Sequence, residues 1–168
     1  MSRPILIAYD GSPAADNATR EAGALLAGWR AIVLVVWKAG LGFELAELPT
    51  ATIGLPPSQL DIRTALEVDE LQRERAQRLA EQGARLAGEA GFDAEALTVA
   101  DEPEVEVAET IVTVARERDA QAVVVAAHGH GPLTELVLGG TSRGVVRKAE
   151  CPVLVVREQP ASRGAAGA

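Results

Sequence analysis

Short apolar runs separated by longer amphipathic stretches set the rhythm of this chain. The runs at residues 5–9, 32–37, 94–99, 122–127 and 152–156 read as five strands, with 94–99 the weakest of them. A strand that is apolar at successive positions needs cover on both of its faces. The amphipathic stretches between the runs supply that cover as helices. The pattern therefore predicts an α/β fold: one open five-stranded parallel sheet with helices on both faces.

The helices carry their own punctuation. Ser12-Pro13 offers an N-cap followed by proline at the first helical position, after which Ala14, Ala18, Ala22 and Leu25 fall on one face. Residues 66–88 read as a long charged helix with Leu71, Leu79 and Leu86 as its inner stripe. A third helix is expected to open at Pro103, with Glu102, Glu104 and Glu106 near its positive end and Val107, Ile111, Val114 and Ala115 turned inward. The last is expected from about Ser142 to Lys148, where Arg147 and Lys148 suit the negative end.

One stretch breaks the alternation. Residues 38–63 hold Gly40, Gly42, Pro49, Gly54, Pro56 and Pro57, which argues against a single helix. A connection of that length is usually a lid or binding loop. Leu41, Phe43, Leu45, Leu48, Ile53 and Leu55 give it apolar positions with which to pack. Residues 1–157 read as one domain, and 158–168, rich in Ala and Gly, as a disordered tail.

Composition narrows the function classes. The 168 residues are 48% hydrophobic and 24% charged, the profile of a globular domain, while aromatics at 3% leave the core to Val, Leu, Ile and Ala. The single cysteine, Cys151, excludes an intramolecular disulfide and a multi-cysteine metal site, and reads as a buried small apolar residue. His128 and His130 are the only histidines and have no third ligand in their spacing, so no metal site is assigned. Trp29 and Trp37 read as packing residues at strand edges. A net charge of -8 argues against a nucleic-acid partner. The apolar run at residues 5–9 is too short for a signal core or a membrane span, and no run of 18 apolar residues follows. A cytoplasmic protein with no membrane partner is expected.

Residues 126–144, AAHGHGPLTELVLGGTSRG, hold the most informative pattern. They leave a buried strand, pass Gly129 and Gly131, and reach Gly139-Gly140-Thr141-Ser142 at a helix start. Glycines let a ligand approach the backbone, and first-turn amides point free N–H groups outward, together an anion site suited to phosphate. Gly139 and Gly140 in a plain turn are the alternative. No GxxxxGK[ST] is present, and Gly129-His130-Gly131 lacks a third glycine because position 134 is Thr134. Gly140 to Gly144 matches GxSxG, but no strand directly precedes it and no histidine follows Ser142, so no catalytic residue is assigned. Asp10-Gly11-Ser12 closes the first strand, at the end where open α/β sheets bind ligands. Asp10 suits a hydrogen bond to a ligand, a metal ion, or the backbone amides of its own turn.

IAYDGSP, LVVW and AAHGHGPLTELVLGGTSRGVVRKAECPVLVV together resemble the universal stress protein family, over residues 4 to about 157. The resemblance implies a Rossmann-like sheet of order 3-2-1-4-5, a homodimer through the last strand (residues 152–156), further protein partners, and a regulatory rather than catalytic role. Many members bind ATP through Gly, two residues, Gly, nine residues, then Gly with Ser or Thr. On that pattern Ala126 stands at the first glycine, Gly129 and Gly139 at the second and third, and Gly140 at the hydroxyl position. The Gly140 departure removes a hydroxyl worth about 0.5–1.5 kcal/mol. Thr141 and Ser142 keep hydroxyls beside it. The resemblance places adenine near Ala8 and Val36, Asp10 near ribose or phosphates, and the phosphates at Gly129, Gly139, Gly140, Thr141 and Ser142, with Mg²⁺ as companion of ATP. A family member that no longer binds nucleotide and acts only on protein partners is the alternative.

Overall fold

Alternation along the strands sorts every core residue to one of two faces. The computed structural model describes residues 3–40, 59–101, 104–128 and 138–157. Strands β1 (Ile5–Ala8), β2 (Arg30–Lys38), β3 (Asp93–Asp101), β4 (Ala122–Ala126) and β5 (Val153–Val156) form one sheet, in the order β3-β2-β1-β4-β5. All pairings are parallel: Ile5 lies opposite Ala31 and Ala122, Val33 opposite Ala96, and Val123 opposite Val153. Helices α1 (Pro13–Leu26), α2 (Gln59–Glu89), α3 (Val107–Glu117) and α4 (Gly140–Lys148) complete the expected α/β fold.

Ile5, Ile7, Val33, Val35 and Val124 share one face with Ala15, Ala18 and Ala22 of α1 and Ala76, Ala80 and Ala87 of α2. Leu6, Ile32, Leu34, Val123 and Val125 share the other with Ala108, Ile111, Val114 and Ala115 of α3 and Val145 of α4. Burying each of the larger aliphatic side chains contributes about 1.5–3 kcal/mol.

Helix α2 approaches the sheet over small residues. A Cβ built on Gly83 would lie 2.7 Å from a Tyr9 ring carbon and 2.8 Å from a Val33 methyl. The inner stripe is therefore Ala65, Ala76, Ala80 and Ala87, and Leu71, expected inside, is 61% exposed. Leu79 and Leu86 do pack against the core, half-buried. In α1 the buried residues are Ala15, Ala18, Thr19, Ala22 and Gly23. Leu26 packs inward, and Leu25, expected there, is 70% exposed.

Element ends depart from expectation for local reasons. Helix α2 starts at Gln59, inside the stretch read as a loop over 38–63; positions 41–58 lie outside the described residues. Helix α3 starts at Val107 and not at Pro103, because Glu104 has φ 70°, a left-handed conformation that no helix continues through. Helix α4 starts at Gly140, two residues before Ser142. Tyr9, Ala127 and Pro152 flank their strands instead of belonging to them. Cys151 is half-buried where full burial was expected, and Trp29 is 40% exposed. The stretch 158–168 lies outside the described residues. Among the described residues no helix is long and apolar enough to cross a membrane.

Candidate functional site

The chain leaves β1 through a turn that its own side chains hold. The Ser12 N–H donates to the Asp10 carboxylate at 2.9 Å, and the Ser12 hydroxyl accepts from the Ala15 N–H at 3.1 Å, capping α1. Gly11 between them has φ +74°, a conformation that favours glycine, while the Leu79 methyl that a Cβ would meet at 2.6 Å is the end of a side chain that can turn aside. The backbone role foreseen for Asp10 is realised, and the exposed carboxylate remains at the carboxyl end of β1.

The passage into α4 is built from three short bonds. The Gly139 N–H donates to the Ala127 carbonyl at 2.8 Å, the Arg143 N–H donates to the Gly139 carbonyl at 2.9 Å, and the Ser142 hydroxyl donates to the Ala126 carbonyl at 2.6 Å. Gly140, Thr141 and Ser142 open the helix, where backbone N–H groups have no acceptor within it and carry partial positive charge. Packing does not demand either glycine. A Cβ at Gly139 would make ordinary contact, 3.5 Å from the Ala127 carbonyl oxygen, and one at Gly140 would meet nothing within 4 Å.

A cavity of about 310 Å³ opens between these two turns. It sits at the carboxyl ends of β1 and β4, where the strand order reverses, the usual ligand position in an open α/β sheet. Ala8, Leu34, Val36 and Val125 line it from the strands and Val107 and Ile111 from α3, with Asp10, Gly139, Gly140, Thr141 and Ser142 among its polar lining. An apolar chamber with a few placed polar groups suits a ligand with a flat apolar body and a polar or anionic end.

Of the residues singled out in the sequence, Ala8, Asp10, Val36, Ala126, Gly139, Gly140, Thr141 and Ser142 all line this cavity. Gly129 lies outside the described residues. Ser142 has a second task that the motif does not reveal: its hydroxyl proton is committed to Ala126, so the oxygen offers a ligand its lone pairs and not a donor.

Sequence reasoning passed over Tyr9, Ala15, Leu34, Val107, Ile111, Val125 and His128, which also line the cavity. Leu34 was within reach, because strand alternation puts it on the face of Val36. Val107 and Ile111 are four apart on one helix face but are indistinguishable in sequence from core. The His128 Nε2 is buried and has no hydrogen-bond partner among the described residues. Among the described residues no group of three or more His, Cys, Asp or Glu side chains could hold a metal. Tyr9 donates its hydroxyl to the Asp16 carboxylate at 2.5 Å. Burial first, and then that bond, hold its ionisation well above the ordinary phenol range.

The fold has known counterparts. A model of the universal stress protein family matches residues 1–157. Universal stress protein Rv2005c of Mycobacterium tuberculosis is 32% identical over 162 residues, covering 92% of this chain and 45% of the relative. The chain thus spans about half the length of the curated relatives it matches. A universal stress protein from Archaeoglobus fulgidus solved in complex with dAMP superposes with a TM-score of 0.56 at 22% identity, covering 92% of this chain and 97% of the other. A family protein from Arabidopsis thaliana with AMP bound gives 0.58 at 16% identity, covering 96% and 97%.

Proposed function

This chain belongs to the universal stress protein family, and from that membership we propose that it is an adenine-nucleotide-binding regulatory protein whose nucleotide site is the cavity between β1 and β4. The observation that carries the reading is the joining, in one cavity, of an apolar chamber to the opening turn of α4. The chamber of Ala8, Leu34, Val36 and Ile111 takes the base, and burial of its faces supplies most of the affinity. Asp10 lies at the ribose side. The amides of Gly140, Thr141 and Ser142 take a phosphate by hydrogen bonds aided by the helix dipole. The missing side chain at Gly139, which the packing does not require, leaves room for that approach. The Arabidopsis and Archaeoglobus proteins, solved with AMP and dAMP, support a nucleotide of this kind.

The role is binding and not turnover: Ser142 hydrogen-bonds a carbonyl and has no general base beside it in the motif. ATP fits the same site in outline, and Mg²⁺ accompanying it would meet Asp10, the carboxylate among the described lining residues. The nucleotide state is read out by protein partners. Two copies pair through β5, an edge strand among the described residues, whose Val153–Val156 are all half-buried and β-branched or leucine.

A second reading, a protein-interaction module without nucleotide, rests on Ala126 and Gly140, where the phosphate motif is broken. Calorimetric titration of nucleotide-stripped protein with AMP, and with ATP plus Mg²⁺, separates the two. A one-site isotherm is expected, strengthened about two- to tenfold in Gly140→Ser, which restores a hydroxyl in open space. Absence of heat from wild type and Gly140→Ser alike establishes the second reading.

A further inference from the structure

A separate cavity, of about 190 Å³, lies in the cleft between α1 and α2, on the face of the sheet away from α3 and α4. All of its lining residues are described, and Tyr9 alone is common to it and the cavity between β1 and β4. The two sites therefore stand or fall separately.

Tyr9 reaches the cleft from the core. The residue is 3% exposed, and its hydroxyl donates to the Asp16 carboxylate at 2.5 Å, which leaves lone pairs on the phenol oxygen for a donor. That bond engages the carboxylate one turn before Arg20, the position from which an i, i+4 partner would come. On α2, Arg85 has Glu81 and Glu89 one turn to either side and pairs with neither. Arg63, Arg73 and Arg78 of the same helix each hold a glutamate three or four residues away. Arg20 and Arg85 thus line one cavity with no ion pair among the described residues.

The cleft carries both signs. Two guanidiniums and the Gln82 amide supply donors, while Asp16, Glu89 and the Tyr9 oxygen supply acceptors. A phosphate dianion would satisfy the arginines but face two carboxylates, and a simple amine would meet the reverse conflict. A small zwitterion satisfies both sets. Its planar carboxylate matches the guanidinium fork, and its ammonium has three N–H groups for the acceptors. The volume is below the roughly 300–1,000 Å³ of a pocket for a drug-sized ligand, which suits a smaller molecule.

We propose that this cleft binds a free α-amino acid, its carboxylate on Arg20 and Arg85 and its ammonium on Asp16 and Glu89. The Tyr9 oxygen and the Gln82 amide complete the polar lining.

The test is an amide chemical-shift titration of the isotope-labelled full chain with L-alanine, L-glutamine and L-arginine at neutral pH and one ionic strength. At least one of the three is expected to give saturable shifts at Asp16, Arg20, Gln82 and Arg85. Masking either charge of that amino acid, as its N-acetyl derivative or its C-terminal amide, is expected to weaken binding about three- to tenfold, the worth of one hydrogen bond in an open cleft. Arg85→Gln is expected to weaken it by a similar factor while amide shifts away from the cleft stay in place. Equal affinity for the N-acetyl derivative or for inorganic phosphate overturns the zwitterion site, as does Arg85→Gln binding as tightly as wild type. Absence of saturable shifts in the cleft with all three amino acids overturns it too, and leaves the nucleotide reading to its own titration.

Discussion

The Ser142 hydroxyl donates to the Ala126 carbonyl across 2.6 Å, fastening the first turn of α4 to the last residue of β4. Both residues line the same cavity, so one bond fixes the spacing between the sheet and the helix terminus proposed to hold phosphate. The residue is 6% exposed, which keeps water from competing for the bond.

Ser142→Ala is expected to destabilise the protein by about 1–2 kcal/mol, because the Ala126 carbonyl loses its donor in a nearly closed setting. Denaturant unfolding measures this directly. A loss below a few tenths of a kcal/mol would mean that water replaces the hydroxyl.

Gly83→Val is expected to be among the most damaging substitutions in α2. Its Cβ would fall 2.7 Å from Tyr9 and 2.8 Å from Val33, both buried, so helix or sheet has to move, at about 1–3 kcal/mol or more. Gly88→Ala, where a Cβ meets nothing within 4 Å, is expected to be neutral or stabilising. Thermal unfolding of the two variants side by side checks the contrast.

These contrasts show what the sequence could convey. Strands were legible because β1, β2 and β4 are covered on both faces and so are apolar throughout, as Ile5, Leu6 and Ile7 are. The edge strand β3 exposes Asp93, Glu95 and Ala96, and its apolar run therefore reads shorter than the strand. The inner face of α2 was misread because hydrophobicity scales favour leucine, whereas close approach to the sheet selects alanine and glycine. Leu71 is outside for that reason and Ala80 inside. At the site, the glycine and hydroxyl pattern led to Gly139–Ser142 and the turn at Asp10, all of which line the cavity. Val107 and Ile111 read as core, since an apolar residue facing a cavity has no mark in sequence to set it apart from one facing core.

Tyr9 makes stability fall in alkali. Its folded ionisation is raised above the unfolded value by burial and by the bond to Asp16, so the folded state keeps a proton that the unfolded chain releases. The stabilisation is complete below the ordinary phenol range near pH 10 and is lost progressively as pH rises beyond it. Unfolding free energies of wild type and Tyr9→Phe from pH 8 to 11 are expected to converge at the upper end. Parallel curves would assign the alkaline loss to other groups.

Pairing through β5 predicts a particle of twice the chain's mass in light scattering at micromolar concentration. Among the described residues the strand bonds β4 on one side and has no strand on its other edge, an edge that invites a second copy. A monomer mass at that concentration would contradict the pairing.

The most direct measurement is an amide chemical-shift map of the isotope-labelled chain titrated with AMP. Saturable shifts are expected at Ala8, Asp10 and Val36 and at Gly139, Gly140, Thr141 and Ser142, the two walls of the cavity between β1 and β4. Shifts confined to residues around Cys151, which lines a separate cavity with Arg3, Arg116 and Glu150, or no shifts at all, would contradict the assignment of that cavity as the nucleotide site.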